Sequence, residues 1–228
     1  WFDLPVEFVF STKPAKALGD PKLWEKAELM IEKALRDSGA KWQLKPGDGA
    51  FYAPKIDILV RDALGREWQT ATVQVDLVML PERFDLTYTD EAGERVRPIA
   101  IHRAIYGSLE RFIGILVEHY AGAFPFWLAP EQVVIIPIAD RHLEFVTAGA
   151  AVLRAAGIRV SIDDSSNRMQ NKIRLAQEQK VPLMLVVGDK EIEAGGAAPR
   201  WRDGTQEPAT SWEALAAALA ARAAARTA

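Results

Sequence analysis

The feature that most constrains this fold is a change of pattern near residue 128. Beyond it, three short apolar runs, "QVVIIPI", "IRVSID" and "VPLMLVVGD", alternate with helical segments over 142–156 and near 167–179. An uninterrupted short apolar run suits a strand covered on both faces. Strands separated by helices are expected to run parallel, because each crossover returns the chain to the same edge. Gly157 closes the first of these helices. The final segment, "SWEALAAALAARAAARTA", reads as a helix capped by Ser211. Its alanines favour helix but bury little, so its tail is expected to fray.

Before residue 128 the pattern is that of an antiparallel sheet with helices. Residues 4–11 alternate as a strand. Asp20-Pro21 supplies a cap and a first helical residue, Gly39 ends the helix, and Trp24, Ala27, Met30, Ile31, Ala34 and Leu35 form its expected buried stripe. "IDILVRD" and "EWQTATVQVDLVML", joined by "ALGR", read as a hairpin, and residues 103–120 as a long apolar helix. The fold class expected is α+β followed by α/β, with domains 1–127 and 128–228 meeting in "AFPFWLAPEQ". A chain of 228 residues accommodates two such domains.

Charge and composition exclude several function classes. The formal net charge is −3, and residues 1–127 carry 16 Lys+Arg against 19 Asp+Glu, residues 128–228 12 against 12. Nucleic-acid contact would therefore need a local patch, not a global basic field. The absence of cysteine excludes disulfides and thiolate metal ligands within this sequence. No apolar run approaches the ~20 residues that span a bilayer, so a soluble, cytoplasmic protein without a membrane partner is expected. The sequence opens on Trp1, in the apolar run "WFDLPVEFVFS", as if inside a domain.

The residues with chemistry cluster in a few stretches. In "HRAIYGSLERFIG", Gly107 allows close backbone approach, Ser108 offers a hydroxyl, and Arg111 carries a fork suited to phosphate or a base. The same spacing describes a helix start with a structural salt bridge from Glu110 or Arg111 to a neighbour. His102 has no H-x-x-x-H partner, and a lone histidine after an apolar run also suits a hydrogen-bonded core residue. Tyr52 and Lys55 in "GDGAFYAPK" stand at a strand mouth, where hydroxyl and ammonium can orient a polar substrate or simply pack and solvate. In "EWQTATVQVD", simple alternation puts Gln69 on one face and Thr70, Thr72 and Gln74 on the other. In the second domain Asn167, Arg168 and Lys172 open a helix, Lys180 closes it, and Glu191 and Arg200 come after it. These could read single-stranded bases or be ordinary surface residues.

Taken together, "STKPAKALG", "GDGAFYAPKIDILVRDALGREWQTATVQVD", "LPERFDLTY", "RPIAIHRAIYGSLERFIGILVEHYAGAFPFWLAP" and "KVPLMLVVGDKEIEAG" resemble bacterial threonyl-tRNA synthetases, in that family's order and nearly to Gly204. The resemblance implies the antiparallel catalytic sheet of a class II synthetase, in part, followed by an anticodon-binding α/β domain. It implies a ligase that joins threonine to ATP, with Mg2+, and passes it to tRNA(Thr), working as a homodimer. By the same matching Arg111 and Lys55 are catalytic; Gln69, Thr72 and Arg111 bind ATP; Tyr52, Gln74 and Ser108 line the threonine pocket. His102 matches one zinc ligand; the family's other two ligands and its first two class II motifs, with the main ATP-binding arginines, lie outside the part represented here, so this portion alone is expected to be inactive. A zinc that binds the substrate hydroxyl would explain rejection of valine. Asn167, Lys180, Glu191 and Arg200 fall where the family reads the anticodon, Lys180 where an arginine can occur. Departures are Ala53 for a glycine, "QTAT" for "QCGT", and one residue more in "DLVMLPERF". The alternative from another class is a non-catalytic synthetase-like protein that binds tRNA or a partner; prolyl-tRNA synthetase is the alternative among enzymes.

Overall fold

The computed structural model describes residues 2–77 and 79–226. Trp1, Val78 in the lengthened "DLVMLPERF" stretch, and the last two residues of the terminal segment lie outside the described residues. The chain divides into two units, one of them Leu4–His119.

That unit contains β1 (Val6–Ser11), α1 (Pro21–Asp37), β2 (Trp42–Lys45), β3 (Lys55–Arg61), β4 (Glu67–Asp76), α2 (Met79–Arg83), the small pair β5 (Tyr88–Thr89) and β6 (Arg95–Val96), β7 (Ala100–Ala104) and α3 (Leu109–His119). The main sheet has the order β2-β1-β3-β4-β7, with β1 and β2 parallel and every other pair antiparallel. Asp20 caps α1 by accepting from the Lys22 N–H at 2.9 Å, with Pro21 as first residue. Trp24, Ala27, Ile31 and Leu35 are buried, and the last three pack with Phe10 and Val75 of the sheet. Met30 and Ala34, expected in that stripe, are exposed. The helix meets the sheet along a single i, i+3/i+4 row, so residues one step round the helix stay in water.

The "ALGR" hairpin forms as expected, pinned by Asp62. Its carboxylate accepts from the Leu64 and Arg66 N–H groups, both at 2.9 Å, from Arg66 Nε at 2.6 Å and from Trp68 Nε1 at 2.7 Å. Burial pushes its pKa up, yet these hydrogen bonds hold it down at about 2. The expected helix over 103–120 is shorter. Residues 100–104 are strand, their backbone groups taken by the ladder to β4 (Gln74 opposite His102), and Gly107 at φ +61 turns the chain before α3 begins at Leu109.

The other unit is a five-stranded sheet of order β12-β11-β10-β8-β9. It comprises β8 (Val133–Pro137), a 3-10 turn (Asp140–His142), α4 (Leu143–Ala155), β9 (Val160–Ile162), α5 (Met169–Glu178), β10 (Leu183–Val187), α6 (Asp189–Glu193), β11 (Gly196–Trp201), β12 (Thr210–Ser211) and α7 (Trp212–Ala225). β9, β8 and β10 are parallel; β11 and β12 are antiparallel additions. The apolar run of β8 is explained by burial on both faces. Val133 and Ile135 join the core with Val146, Leu153, Trp212 and Leu219, whereas Val134 and Ile136 join Ala176, Val181 and Met184 on the α5 side. Ser211 caps α7, accepting from the Ala214 N–H at 3.3 Å. Among the described residues no helix is long and apolar enough to cross a membrane.

α4 and α7 touch through Gly149, where a Cβ would lie 2.2 Å from Cε2 of Trp212. Gly→Ala inside a helix ordinarily stabilises by about 1 kcal/mol. Here the methyl must displace a buried indole, so Gly149→Ala is expected to destabilise by ~1–3 kcal/mol in urea unfolding, a reversal of the helix-propensity sign.

Candidate functional site

The pleat of the first sheet separates two chemistries. Phe8, Phe10, Ile56, Ile58 and Val73 point towards α1, and Ser11, Lys55, Asp57, Thr72, Gln74 and His102 share the opposite face through direct cross-strand pairing. Gln69 belongs to this polar face, contrary to simple alternation. β3 and β4 slip register between Ile58 and Leu59: Ile58 faces Ala71 and Leu59 faces Gln69, so Thr70 is an extra residue. A β-bulge of this kind inverts the alternation on one side of it. The Thr70 carbonyl lies close to Gly107, where a Cβ would stand 3.0 Å away. Close approach and positive φ together require glycine there.

Below this face lies Asp57, 3% exposed, which nothing in the sequence pattern singles out as a site residue. It accepts from Ser11 Oγ at 3.0 Å, Gln69 Nε2 at 2.6 Å, Thr72 Oγ1 at 3.3 Å and Lys55 Nζ. The one signal available in the sequence is its position two residues after Lys55 on one strand, hence on the same face. Lys55 Nζ also stands 3.9 Å from Asp48.

Tyr52, Gln74 and His102 form a second cluster. Tyr52 Oη donates to Gln74 Oε1 at 2.7 Å, and the Tyr52 and His102 rings are 6.0 Å apart. Gln74 thereby keeps its amide N–H groups for a ligand. His102 Nε2 is buried and lies 3.3 Å from Asp76 Oδ2, yet without the alignment of a hydrogen bond. Asp76 itself caps α2, accepting from the Met79 and Leu80 N–H groups at 2.7 and 3.0 Å. A histidine whose Nε2 is turned to a buried carboxylate has Nδ1 left for another partner. Among the described residues no group of three or more His, Asp or Glu side chains could hold a metal by itself.

Arg111 and Ser108 have partners of their own. The Arg111 guanidinium stands 5.4 Å from the Trp68 ring, and alternation points Trp68 away from Gln69. Ser108 Oγ donates to Glu110 Oε2 at 2.7 Å and accepts from the Arg111 N–H at 3.4 Å, serving the start of α3. Ala53 is buried without positive φ, so alanine fits where a glycine was expected. A cavity of about 600 Å3 opens on the α1 side between Phe8, Leu35, Ile56, Val73 and Arg103. Its walls are mostly apolar, and it shares no lining residue with the polar floor.

In the other unit, β8 sits between β9 and β10, so the chain reverses its winding there and the carboxyl ends of these strands form a crevice. Three loops meet that edge. After β9, Ser165 donates through N and Oγ to Asp163 Oδ1 at 3.1 and 2.6 Å, Asn167 Nδ2 donates to Ser165 Oγ at 3.2 Å, and the buried Lys172 ammonium donates to the Asp163 carbonyl at 2.7 Å. After β10, the Gly188 N–H donates to Glu191 Oε2 at 2.9 Å. After β8, Arg141 Nη2 and His142 Nε2 reach Asp189 at 2.6 and 2.9 Å, and His142 Nδ1 accepts from the Ala139 N–H at 3.2 Å. Glu191, Arg200 and Gln206 line a cavity of about 250 Å3 with Ile138, Met169 and Ile173. Lys180 is at the far end of α5, where its ammonium contacts the Ala121 carbonyl. The expected base-reading residues thus divide into Glu191 and Arg200 on one cavity, Asn167 on a neighbouring loop, and Lys180 elsewhere. Gln206 and the Arg141–His142–Asp189 cluster carry no signal in the sequence, since they meet only through loops distant in the chain.

Residues 8–120 match the family described as tRNA synthetase class II core domain (G, H, P, S and T), and residues 132–222 the anticodon binding domain. A threonine–tRNA ligase of Anaeromyxobacter dehalogenans (strain 2CP-C) is 54% identical over 203 residues, covering 89% of this chain and 31% of that protein. The crystal structure of the RNA binding domain of threonyl-tRNA synthetase from Cryptosporidium parvum Iowa II matches with a TM-score of 0.87 and 37% identity, over 97% of this chain and 56% of that one. A prolyl-tRNA synthetase of Giardia lamblia matches with a TM-score of 0.57 and 25% identity, over 77% and 42%. The polar-faced antiparallel sheet and the parallel-sheet unit are a class II aminoacyl-tRNA synthetase core and an anticodon-binding domain. Within that class the prolyl likeness is weaker in both shape and identity, and the chain belongs to the threonyl-tRNA synthetase family. It spans about a third of the length of the curated relatives it matches.

The Asp189 carboxylate is held at a pKa of about 2 by the hydrogen bond from Arg141 first and that from His142 second. A folded-state pKa below the unfolded value near 3.9 contributes stability that is complete above about pH 4 and lost as pH falls towards 2. Asp189→Asn is therefore expected to melt below the wild type at pH 7, with the gap closing between about pH 4 and 2 in thermal melts recorded across that range.

Proposed function

We propose that the protein carrying these residues is a threonine–tRNA ligase, activating threonine with ATP and Mg2+ and transferring it to tRNA(Thr), as a homodimer in the cytoplasm. Residues 1–127 serve the catalytic domain and 128–228 the anticodon-binding domain. The observation that carries the reading is the convergence of Tyr52, Gln74 and His102 on the same sheet face as Lys55, Gln69 and Thr72. A hydroxyl, an amide and an imidazole suit a small polar amino acid. An ammonium with two hydrogen-bonding side chains beside them suits a nucleotide.

In this reading Tyr52, Gln74 and Ser108 bind threonine, Gln69 and Thr72 bind ATP, and Lys55 and Arg111 act on the phosphate. Arg111 would leave Trp68 to do so; an exposed cation–π contact of about 0.5–1 kcal/mol is a small barrier beside a charge-assisted phosphate contact. His102 would hold zinc as one ligand among three or four, the remainder coming from outside these residues. The buried Nε2, without a hydrogen bond and 3.3 Å from Asp76, fits that role, because a ligating imidazole donates its other N–H to such a carboxylate. Zinc, when bound, supplies a Lewis acid for the threonine amine and hydroxyl. Asn167, Glu191 and Arg200 would read anticodon bases, with Lys180 contributing from the far end of α5.

A chimera tests this, with these residues replacing the matching segment of the Anaeromyxobacter ligase. Threonine-dependent ATP–pyrophosphate exchange is expected, with Gln74→Ala and His102→Ala each lowering kcat/KM for threonine by about 10- to 100-fold. Absence of exchange in a folded chimera that still binds tRNA(Thr) would instead favour a non-catalytic tRNA-binding protein. The 228-residue polypeptide alone is expected to show no exchange.

A further inference from the structure

Four side chains from three strands converge on the buried Asp57 carboxylate, and three of them, Lys55, Gln69 and Thr72, face the polar floor of the first sheet. We propose that Asp57 is a positioning residue that fixes the donor–acceptor polarity of this floor, so that the site selects a ligand carrying hydroxyl donors, such as the 2′,3′-diol of a ribose. The proposal rests on the nucleotide-binding reading and deepens it.

An ionised carboxylate accepts about four hydrogen bonds and donates none. Oδ2 of Asp57 takes Ser11 Oγ at 3.0 Å and the Lys55 ammonium; Oδ1 takes Gln69 Nε2 at 2.6 Å and Thr72 Oγ1 at 3.3 Å. The carboxylate is saturated and 3% exposed, so it acts through its neighbours and not on a ligand. Gln69 cannot turn its amide, because its carbonyl oxygen would then face a carboxylate oxygen. Its Oε1 therefore points away from Asp57 as an acceptor. Thr72 has one hydroxyl proton and commits it to Asp57, leaving only lone pairs for a ligand. Lys55 retains N–H groups and its charge. Two outward acceptors beside a cation match a diol next to an anionic group and disfavour a ligand that offers only acceptors at the diol position.

Asp57→Asn tests this at constant shape. The Lys55 ammonium and Ser11 draw the new carbonyl oxygen to their side, which turns the new NH2 towards Gln69 and Thr72 and inverts what those two present. The probes are adenosine and 2′,3′-dideoxyadenosine, titrated into the chimera described above, isotope-labelled in this segment, and followed by NMR. Wild type is expected to favour adenosine about five- to tenfold, as lost hydroxyl hydrogen bonds would give. Ser11→Ala, which removes a donor from the same carboxylate at a fully buried position out of a ligand's reach, retains that preference; Asp57→Asn abolishes it. The Gln69 side-chain amide signal supplies a second readout, protected from solvent exchange in wild type and Ser11→Ala and unprotected in Asp57→Asn. If Asp57→Asn does not fold, Asp57→Ala replaces it with the same expectations. A folded variant that keeps both the adenosine preference and the Gln69 protection overturns the proposal, as does a wild type that binds both nucleosides equally. Binding of neither nucleoside, with the Gln69 signal responding as expected, rejects the nucleotide reading and retains Asp57 as the residue that orients the floor.

Discussion

One extra residue in a strand determines what the first sheet can offer. The bulge at Thr70 reverses the alternation of β4, so Gln69 joins Thr72 and Gln74 on one face. Only from there can its amide reach Asp57 at 2.6 Å. The bulge also shapes the turn after β7: the Thr70 carbonyl stands so near Gly107 that a side chain there would be crowded, and α3 starts two residues on. Floor, turn and helix start all depend on this local departure from regular pairing.

The two faces of that sheet meet opposite demands. Towards α1 the strands present Phe8, Phe10, Ile56 and Val73; full burial, as at Phe10, contributes roughly 1.5–3 kcal/mol, and the partly buried others contribute less. The polar face buries two carboxylates, Asp57 and Asp76. An unpaired buried charge would cost several kcal/mol, and both are offset by hydrogen bonds, from four side chains for Asp57 and from the amides of α2 for Asp76. A sheet with no ligand to serve could fill the same positions with Val or Thr at lower cost.

Much of this architecture is legible in the sequence because it obeys periodicity. The alternating segments after residue 128 point to parallel strands, since β8 is covered on both faces and its apolar run has no polar side. The β3–β4 hairpin and the caps Asp20 and Ser211 are equally legible, being local chemistry. The features that escape a reading of the sequence depend on contacts distant in the chain. A bulge leaves no mark in "EWQTATVQVD", where alternation assigns Gln69 to the wrong face. "AIHRA" could join the helical pattern after it, and only its ladder to β4 makes it a strand. The short strand β2 adds to an edge that β1 creates, and β11 pairs with β10 on the side away from β8. Tyr52, Gln74 and His102 stand out through a family resemblance, whereas Asp57, Asp76, Asp189 and Gln206 become visible only through their partners.

The loops at the carboxyl edge of the second sheet are each fastened before anything docks. Asn167 is tied to Ser165 and through it to Asp163, which the Lys172 ammonium also grips; Glu191 is tied to the Gly188 amide; Arg141 and His142 anchor the first turn of α6. Such an edge is preorganised. A flexible strand of nucleotides laid across it would bear nearly all the entropy loss of association itself, at roughly 0.5–1.5 kcal/mol per immobilised group, and the protein side would contribute little to that penalty.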